Sequence, residues 1–213
     1  METRLYKIPA EGDRAVRLKV IPGHFATNHS HINNYIDLTT LKTRQNEAQA
    51  AARILVQYAN YKAVDTIICV DGCEVIGAYL AEELTKAGIV SMNQHKTIYI
   101  ASPESHIGGQ LIFRDNMQMM VRDKNVLLLL ATATTGQTLD QNLNCIEYYG
   151  GRIQGICAIF SAVQKVHSIE VNSIFTQKNI PDYQTYEFQN CPLCKKGQKV
   201  DAIVNAFGYS KIE

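Results

Sequence analysis

The sequence predicts an α/β domain in which helices cover both faces of a mainly parallel central sheet. Three observations carry that prediction. Strand-like and helix-like segments alternate, the strands are continuous apolar runs, and the connections are short. In order, residues 46–59 place Ala48, Ala51, Ala52, Leu55, Val56 and Ala59 on one face at the 3.6-residue period of an amphipathic helix. Thr66-Ile-Ile-Cys-Val70 follows, bounded by Asp65 and Asp71-Gly72, and reads as a strand buried on both faces. A helix from about Glu74 to Lys86 carries Ile76, Tyr79, Leu80 and Leu84, with Gly88 placed to cap it. Lys96 to Ala101 is the next strand, and Asn125 to Ala131 is the most apolar one. Residues 137–149 read as a helix ended by Gly150-Gly151, and Arg152–Phe160 and Ile169–Phe175 as two further strands. Between strands, residues 102–118 contain Pro103, Gly108 and Gly109 and predict a projecting hairpin or flap. The tail from Gln177 is polar, carries Pro181 and Pro192, and is expected to lie on the surface.

Composition excludes several classes. The 213 residues suit one domain, since a chain of that length buries about 70% of its unfolded surface. With 21 basic against 20 acidic residues, net charge +1 excludes strong global attraction to nucleic acid or an anionic membrane. The longest purely apolar run, Val126 to Ala131, has six residues and cannot span a bilayer. The amino terminus lacks the apolar core of a signal peptide, so a cytoplasmic protein is expected. Six cysteines are too few for a disulfide scaffold, and in a reducing compartment they read as buried thiols or metal ligands.

The most informative stretch is Val126-Leu-Leu-Leu-Leu-Ala-Thr-Ala-Thr-Thr-Gly-Gln-Thr138, where a buried strand meets three threonines and a glycine before a helix. The first N–H groups of a helix have no intrahelical acceptor, and the dipole turns its positive end to the loop, so an anion is favoured there. No lysine follows Gly136, which excludes a Walker loop. Threonines also cap helices after strands, so the loop alone leaves both readings open.

This loop resembles the phosphoribosyl-diphosphate signature of type I phosphoribosyltransferases. Ala133, Thr134, Thr135, Gly136, Gln137 and Thr138 correspond to that family's 5′-phosphate cradle. Gly23-His-Phe-Ala-Thr-Asn-His-Ser-His-Ile-Asn-Asn-Tyr-Ile-Asp37 resembles an early pattern of the orotate branch, and residues 64–84 its diphosphate loop and helix. Asn190-Cys-Pro-Leu-Cys-Lys-Lys-Gly197 resembles the tail of some bacterial members. The resemblance implies a Rossmann-like phosphoribosyltransferase fold in a single domain, 1–213. About 1–40 and 176–213 would contribute to a hood and tail, and 102–118 would form the flap. It also implies a homodimer, Mg²⁺ as a candidate cofactor and a phosphorylated ribose or nucleotide as ligand; charge and apolar run length, separately, lead to the expectation of neither nucleic acid nor membrane as partner. Asp71, Gly72, Cys73 and Glu74 take the diphosphate-loop position and His106 that of the flap histidine.

Several charges of that family are absent. Its acidic pair, which holds the ribose hydroxyls, falls at Leu130 and Ala131. No lysine lies between Lys96 and Lys124, where the flap would carry several, and Arg114 is the nearest cation. An Asp-Arg pair near the base site is replaced by Phe160-Ser161. Asp71 and Glu74 are either a solvated helix-start pair or carboxylates that restore the metal site. Cys191-Pro-Leu-Cys194 has half of a zinc-ribbon spacing, and Cys69 and Cys73 lie in the sheet and its loop. The pair therefore reads as a tail turn of reduced thiols rather than a zinc site. His24, His29 and His31 fall in a loop-like segment and read as structural or substrate-edge groups rather than metal ligands. Met117-Gln-Met-Met120 reads as a strand or flap base that packs into the core or a dimer interface. Two functions remain open: phosphoribosyl transfer to or from a nucleobase, resembling the orotate enzyme, or non-catalytic binding of a nucleotide or ribose phosphate.

Overall fold

The computed structural model describes residues 1–86, 92–93, 96–105, 110–134 and 136–212. Along the chain, β1 (Tyr6–Pro9), β2 (Arg17–Ala26) and β3 (His31–Asp37) precede two helices, α1 (Thr39–Thr43) and α2 (Gln45–Leu55). Then come β4 (Thr66–Cys69), α3 (Glu74–Thr85), β5 (Tyr99–Ala101), the hairpin β6 (Glu104–Ser105) and β7 (Leu111–Ile112), and α4 (Asp115–Gln118). The second half holds β8 (Asn125–Ala133), α5 (Gln137–Tyr148), β9 (Arg152–Ser161), β10 (Lys165–Val166) and β11 (Ile169–Thr176). The tail supplies β12 (Thr185–Tyr186), α6 (Pro192–Lys195), β13 (Ala202–Asn205) and β14 (Gly208–Lys211). Among the described residues no helix is long and apolar enough to cross a membrane.

The central sheet has the order β10-β11-β9-β8-β4-β5, parallel from β11 through β5, with β10 antiparallel at one edge. The apolar run of β8 has a direct explanation in its period of two. Leu127, Leu129 and Ala131 join the core under α2 and α3, while Val126, Leu128 and Leu130 join the core under α5. The stripe Ala48, Ala51, Ala52 and Leu55 of α2 is fully buried, and α2 packs on α3. Gly150 closes α5 with φ +79°, its N–H donating to Glu147 O at 2.9 Å, as the Gly-Gly pair leads one to expect. Gly88, expected to cap α3, and Gly108 and Gly109 lie outside the described residues.

A second sheet, β12-β3-β2-β13-β14 with β1 on β2, draws strands from both ends of the chain. Two sequence expectations are corrected here. The tail does not merely lie on the surface: Ile180, Tyr183, Cys191, Ala202 and Val204 are buried, and β13 pairs in parallel with β2. Residues 24–31 are not a plain loop, because they end β2 and begin β3. Both readings failed for the same reason: these short strands are stabilised by partners distant in sequence, which local pattern does not display. The register of β2 against β3 shifts between Pro22 and Phe25, and this bulge lets the successive residues His24 and Phe25 both turn inward. Met117 lies in α4 and Met120 in the turn after it; both pack on the α5-side core, as expected of a flap base, with helix in place of the alternative strand.

Candidate functional site

A cavity of about 720 Å³ opens where β4 and β8 end, beneath the second sheet. The carboxyl ends of parallel strands are where α/β sheets bind ligands, because the loops there diverge and helix N-termini face inward. Its floor is Cys69–Gly72 after β4 and Ala131, Thr132 and Thr134 near the end of β8. Its roof is the β2–β3 turn, Thr27 to Ser30, with Asn34 of β3 and the β13–β14 turn, Asn205 to Phe207.

The threonine loop lies at this cavity. Gly136 is the N-cap of α5 in the left-handed region, φ +78°, and turns the chain from β8 into the helix. Thr134 and Thr138 line the cavity, whereas Gln137 is exposed and outside the lining. Thr135 lies outside the described residues, as does His106 of the flap. Asp140 in the first turn of α5 meets His167 Nε2 at 3.2 Å, which places an acidic and a basic group beside the loop.

The β4–α3 loop is tightly wound, with Asp71 at φ +61° and Gly72 at φ +77°. Asp71, Gly72 and Glu74 line the cavity. Cys73, grouped with them on sequence, is corrected: it is fully buried in the core under α2 and α3, because the loop turns it away from the opening. Burial, with Asp71 beside it, pushes its thiol far up, so it stays protonated. Burial also raises the Asp71 carboxyl above the usual range, Lys42 opposing and Glu74 reinforcing the shift. The Ser102 hydroxyl donates to Glu74 Oε1 at 2.7 Å, joining the flap base to α3.

Three polar side chains at the cavity were not foreseen. Lys42 is 6% exposed and donates to Asp71 O at 2.6 Å and Ala206 O at 2.5 Å, tying the β4–α3 loop to the tail. Asn34 is 1% exposed, and neither its amide nitrogen nor its oxygen has a partner. Asn142 donates to Thr138 O at 2.8 Å, but its oxygen is likewise unpartnered. Buried amide atoms left open cost about 1–3 kcal/mol each, so the Asn34 amide and the Asn142 oxygen are the groups at this cavity most in need of a further partner. The Asn33-Asn34 dipeptide was visible in the sequence, but only the strand register shows which amide faces the cavity.

The substituted charge positions behave as apolar ones. Leu130 and Ala131 are 1% and 3% exposed, on opposite faces of β8. Arg114 forms a two-point pair with Glu104 across the β6–β7 hairpin at 2.7 and 2.8 Å. Phe160 is fully buried against Tyr183, and Ser161 Oγ donates to Val163 O at 2.6 Å.

Comparison with solved structures places the fold among the phosphoribosyltransferases. The orotate phosphoribosyltransferase of Aeropyrum pernix superposes with a TM-score of 0.52 at 17% identity, over 84% of this chain and 92% of that one. The adenine phosphoribosyltransferase of Thermoanaerobacter pseudethanolicus gives 0.51 at 12% identity, over 82% and 96%. The orotate phosphoribosyltransferase of Mycobacterium tuberculosis in complex with 5-phospho-α-D-ribosyl 1-diphosphate gives 0.51 at 12% identity, over 68% and 82%. In sequence, the orotate phosphoribosyltransferase of Chlorobium phaeobacteroides is 24% identical over 187 residues, 86% of this chain and 88% of its own. One from Campylobacter jejuni is 32% identical over 77 residues, 31% of this chain and 38% of its own. No model of a known protein family matches the chain. The protein has the type I phosphoribosyltransferase fold and is similar in sequence to orotate phosphoribosyltransferases.

Proposed function

We propose that the cavity binds a 5-phosphoribosyl compound and that the protein transfers that group to or from a nucleobase. The observation that carries the reading is one cavity that joins the threonine loop at the start of α5 to the unpartnered amide of Asn34 and the unpartnered oxygen of Asn142. The 5′-phosphate is held by free N–H groups at the α5 N-terminus and by the hydroxyls of Thr134 and Thr138. Asn34 offers a donor and an acceptor to a neutral base or ribose edge. The complex of the Mycobacterium tuberculosis protein with 5-phospho-α-D-ribosyl 1-diphosphate supports this ligand class for the shared fold.

The diphosphate side carries Asp71 and Glu74 with Lys42 between loop and tail, a balance that repels a bare polyanion. Mg²⁺ suits two carboxylates that leave most of its coordination to water and phosphate oxygens. Bound there, it would neutralise the leaving diphosphate. Lys42 keeps the loop in place through its two carbonyl contacts.

A second reading, non-catalytic binding, rests on Leu130 and Ala131, which offer the ribose hydroxyls no carboxylate. Calorimetry with phosphoribosyl diphosphate, ribose 5-phosphate and nucleoside monophosphates, with and without Mg²⁺, tests the site. Monophosphates should bind without metal, phosphoribosyl diphosphate only with it, and Asn34→Ala should weaken nucleotide binding about tenfold. No binding by any of them defeats both readings. Binding without diphosphate release across a panel of bases leaves the non-catalytic one.

A further inference from the structure

At the β2–β3 hairpin, outside the lining of the cavity, four side chains from opposite ends of the chain converge. His24 and His31 come from β2 and β3, Cys191 and Cys194 from the start and end of the α6 turn, and their donor atoms all lie within 4.8 Å of one another. His24 Nε2 is 3.0 Å from His31 Nδ1, 3.5 Å from Cys191 Sγ and 3.6 Å from Cys194 Sγ. Cys194 Sγ is 3.3 Å from His31 Nδ1. A tetrahedral zinc ion with Zn–N of about 2.0–2.1 Å and Zn–S of about 2.3 Å requires donor separations of about 3.3–3.8 Å.

The surroundings favour a metal over a hydrogen-bonded cluster. His24 Nδ1 lies 2.9 Å from the carbonyl of Gln198. A carbonyl can only accept, so Nδ1 carries the proton and Nε2 presents its lone pair to the other three groups. One lone pair takes one donor well, yet three heteroatoms crowd it. His24 is further clamped by Asp201, whose carboxylate accepts its N–H at 2.9 Å and whose N–H donates to its carbonyl at 2.7 Å. At the other side, Lys195 N–H donates to Cys191 O and Gly197 N–H to Cys194 O, with Gly197 at φ +72°. That tight turn brings both thiols to one side. His24 and Cys191 are fully buried, and two thiolates with Zn²⁺ make a neutral group suited to such a place.

We infer that His24, His31, Cys191 and Cys194 form a structural Zn²⁺ site that clips the carboxy-terminal tail to the β2–β3 hairpin. With all four positions filled by protein, the ion has no open position for catalysis. Its effect is to fix the roof of the cavity, since Thr27 to Ser30 lie between the two histidines and line that roof.

The test is metal analysis of the full chain, freed of any histidine tag and purified from zinc-supplemented medium. One zinc per chain is expected in the wild type and in His29→Ala, whose imidazole is exposed and outside the cluster. Cys194→Ser, at an exposed position, should retain none after dialysis while still folding. Substitution with Co²⁺ should give the intense d–d and thiolate charge-transfer bands of a tetrahedral site, and both should vanish in Cys194→Ser. Chelation should lower Tm by roughly 8–15 °C in the wild type and not in that variant. Substoichiometric zinc in the wild type, zinc retained by Cys194→Ser, or a Cys191–Cys194 disulfide in the purified chain overturns the assignment. None of these readouts depends on phosphoribosyl binding.

Discussion

Asp71 shows how a single residue's setting differs from its sequence-level reading. Its carboxyl is raised above the ordinary 3.8 by burial, against the pull of Lys42. The sign follows from linkage. The folded state holds the proton to a higher pH than the unfolded state, so the burial cost is absent at acid pH and grows as pH rises through the carboxylate range. Asp71→Asn keeps the size and tolerates the left-handed backbone. In metal-free buffer its stability relative to wild type should increase as pH rises through that range and then level off, as read by urea unfolding at a series of pH values. Parallel curves would contradict the buried carboxylate. The place of Asp71 and Glu74 at the opening was legible from the sequence, because two carboxylates at a strand-to-helix turn are unusual. Asn34 and Lys42 were not, because nothing local distinguishes a solvated amide or ammonium from one enclosed by distant strands.

At the scale of elements, the β8–α5 junction was the most legible feature. A run of leucines needs cover on both faces, and a threonine-glycine stop before a helix needs an acceptor for its first N–H groups; both are local statements. Gly136 makes the junction possible at φ +78°, where, among the described residues, an added Cβ has Val166 Cγ2 nearby at 4.0 Å. The left-handed backbone is what an alanine there strains. Gly136→Ala should cost about 1–2 kcal/mol in stability. Relaxation of the loop should also weaken binding of inorganic phosphate and nucleoside monophosphates, as read by calorimetry. Unchanged stability and affinity together would show that the residue does not set the loop. The hairpin β2–β3 was less legible, since its bulge resets the alternation that reveals a strand.

At the scale of the whole molecule, the two sheets share one core: Val16, Leu18, Val20, Ile21 and Phe25 belong to the same apolar cluster as Leu127 and Leu129. The tail completes it, pairing β13 with β2 and placing the carbonyl of Ala206 on the Lys42 ammonium. A chain ended at Asn190 loses both, leaving a strand edge open and a buried cation short of an acceptor. It should lose its cooperative melt and near-ultraviolet circular dichroism and elute as an expanded or aggregated species; a native-like melt would refute the tail's role. By itself, the sequence determined the central sheet, its flanking helices and the threonine-glycine junction of β8 with α5, because apolar periodicity and helix-end chemistry act within a dozen residues. Only the tertiary structure decided the second sheet, the amides enclosed at the cavity and the meeting of His24 and His31 with Cys191 and Cys194. Each of those is made by segments far apart in the chain, joined through strand pairing that no local pattern encodes.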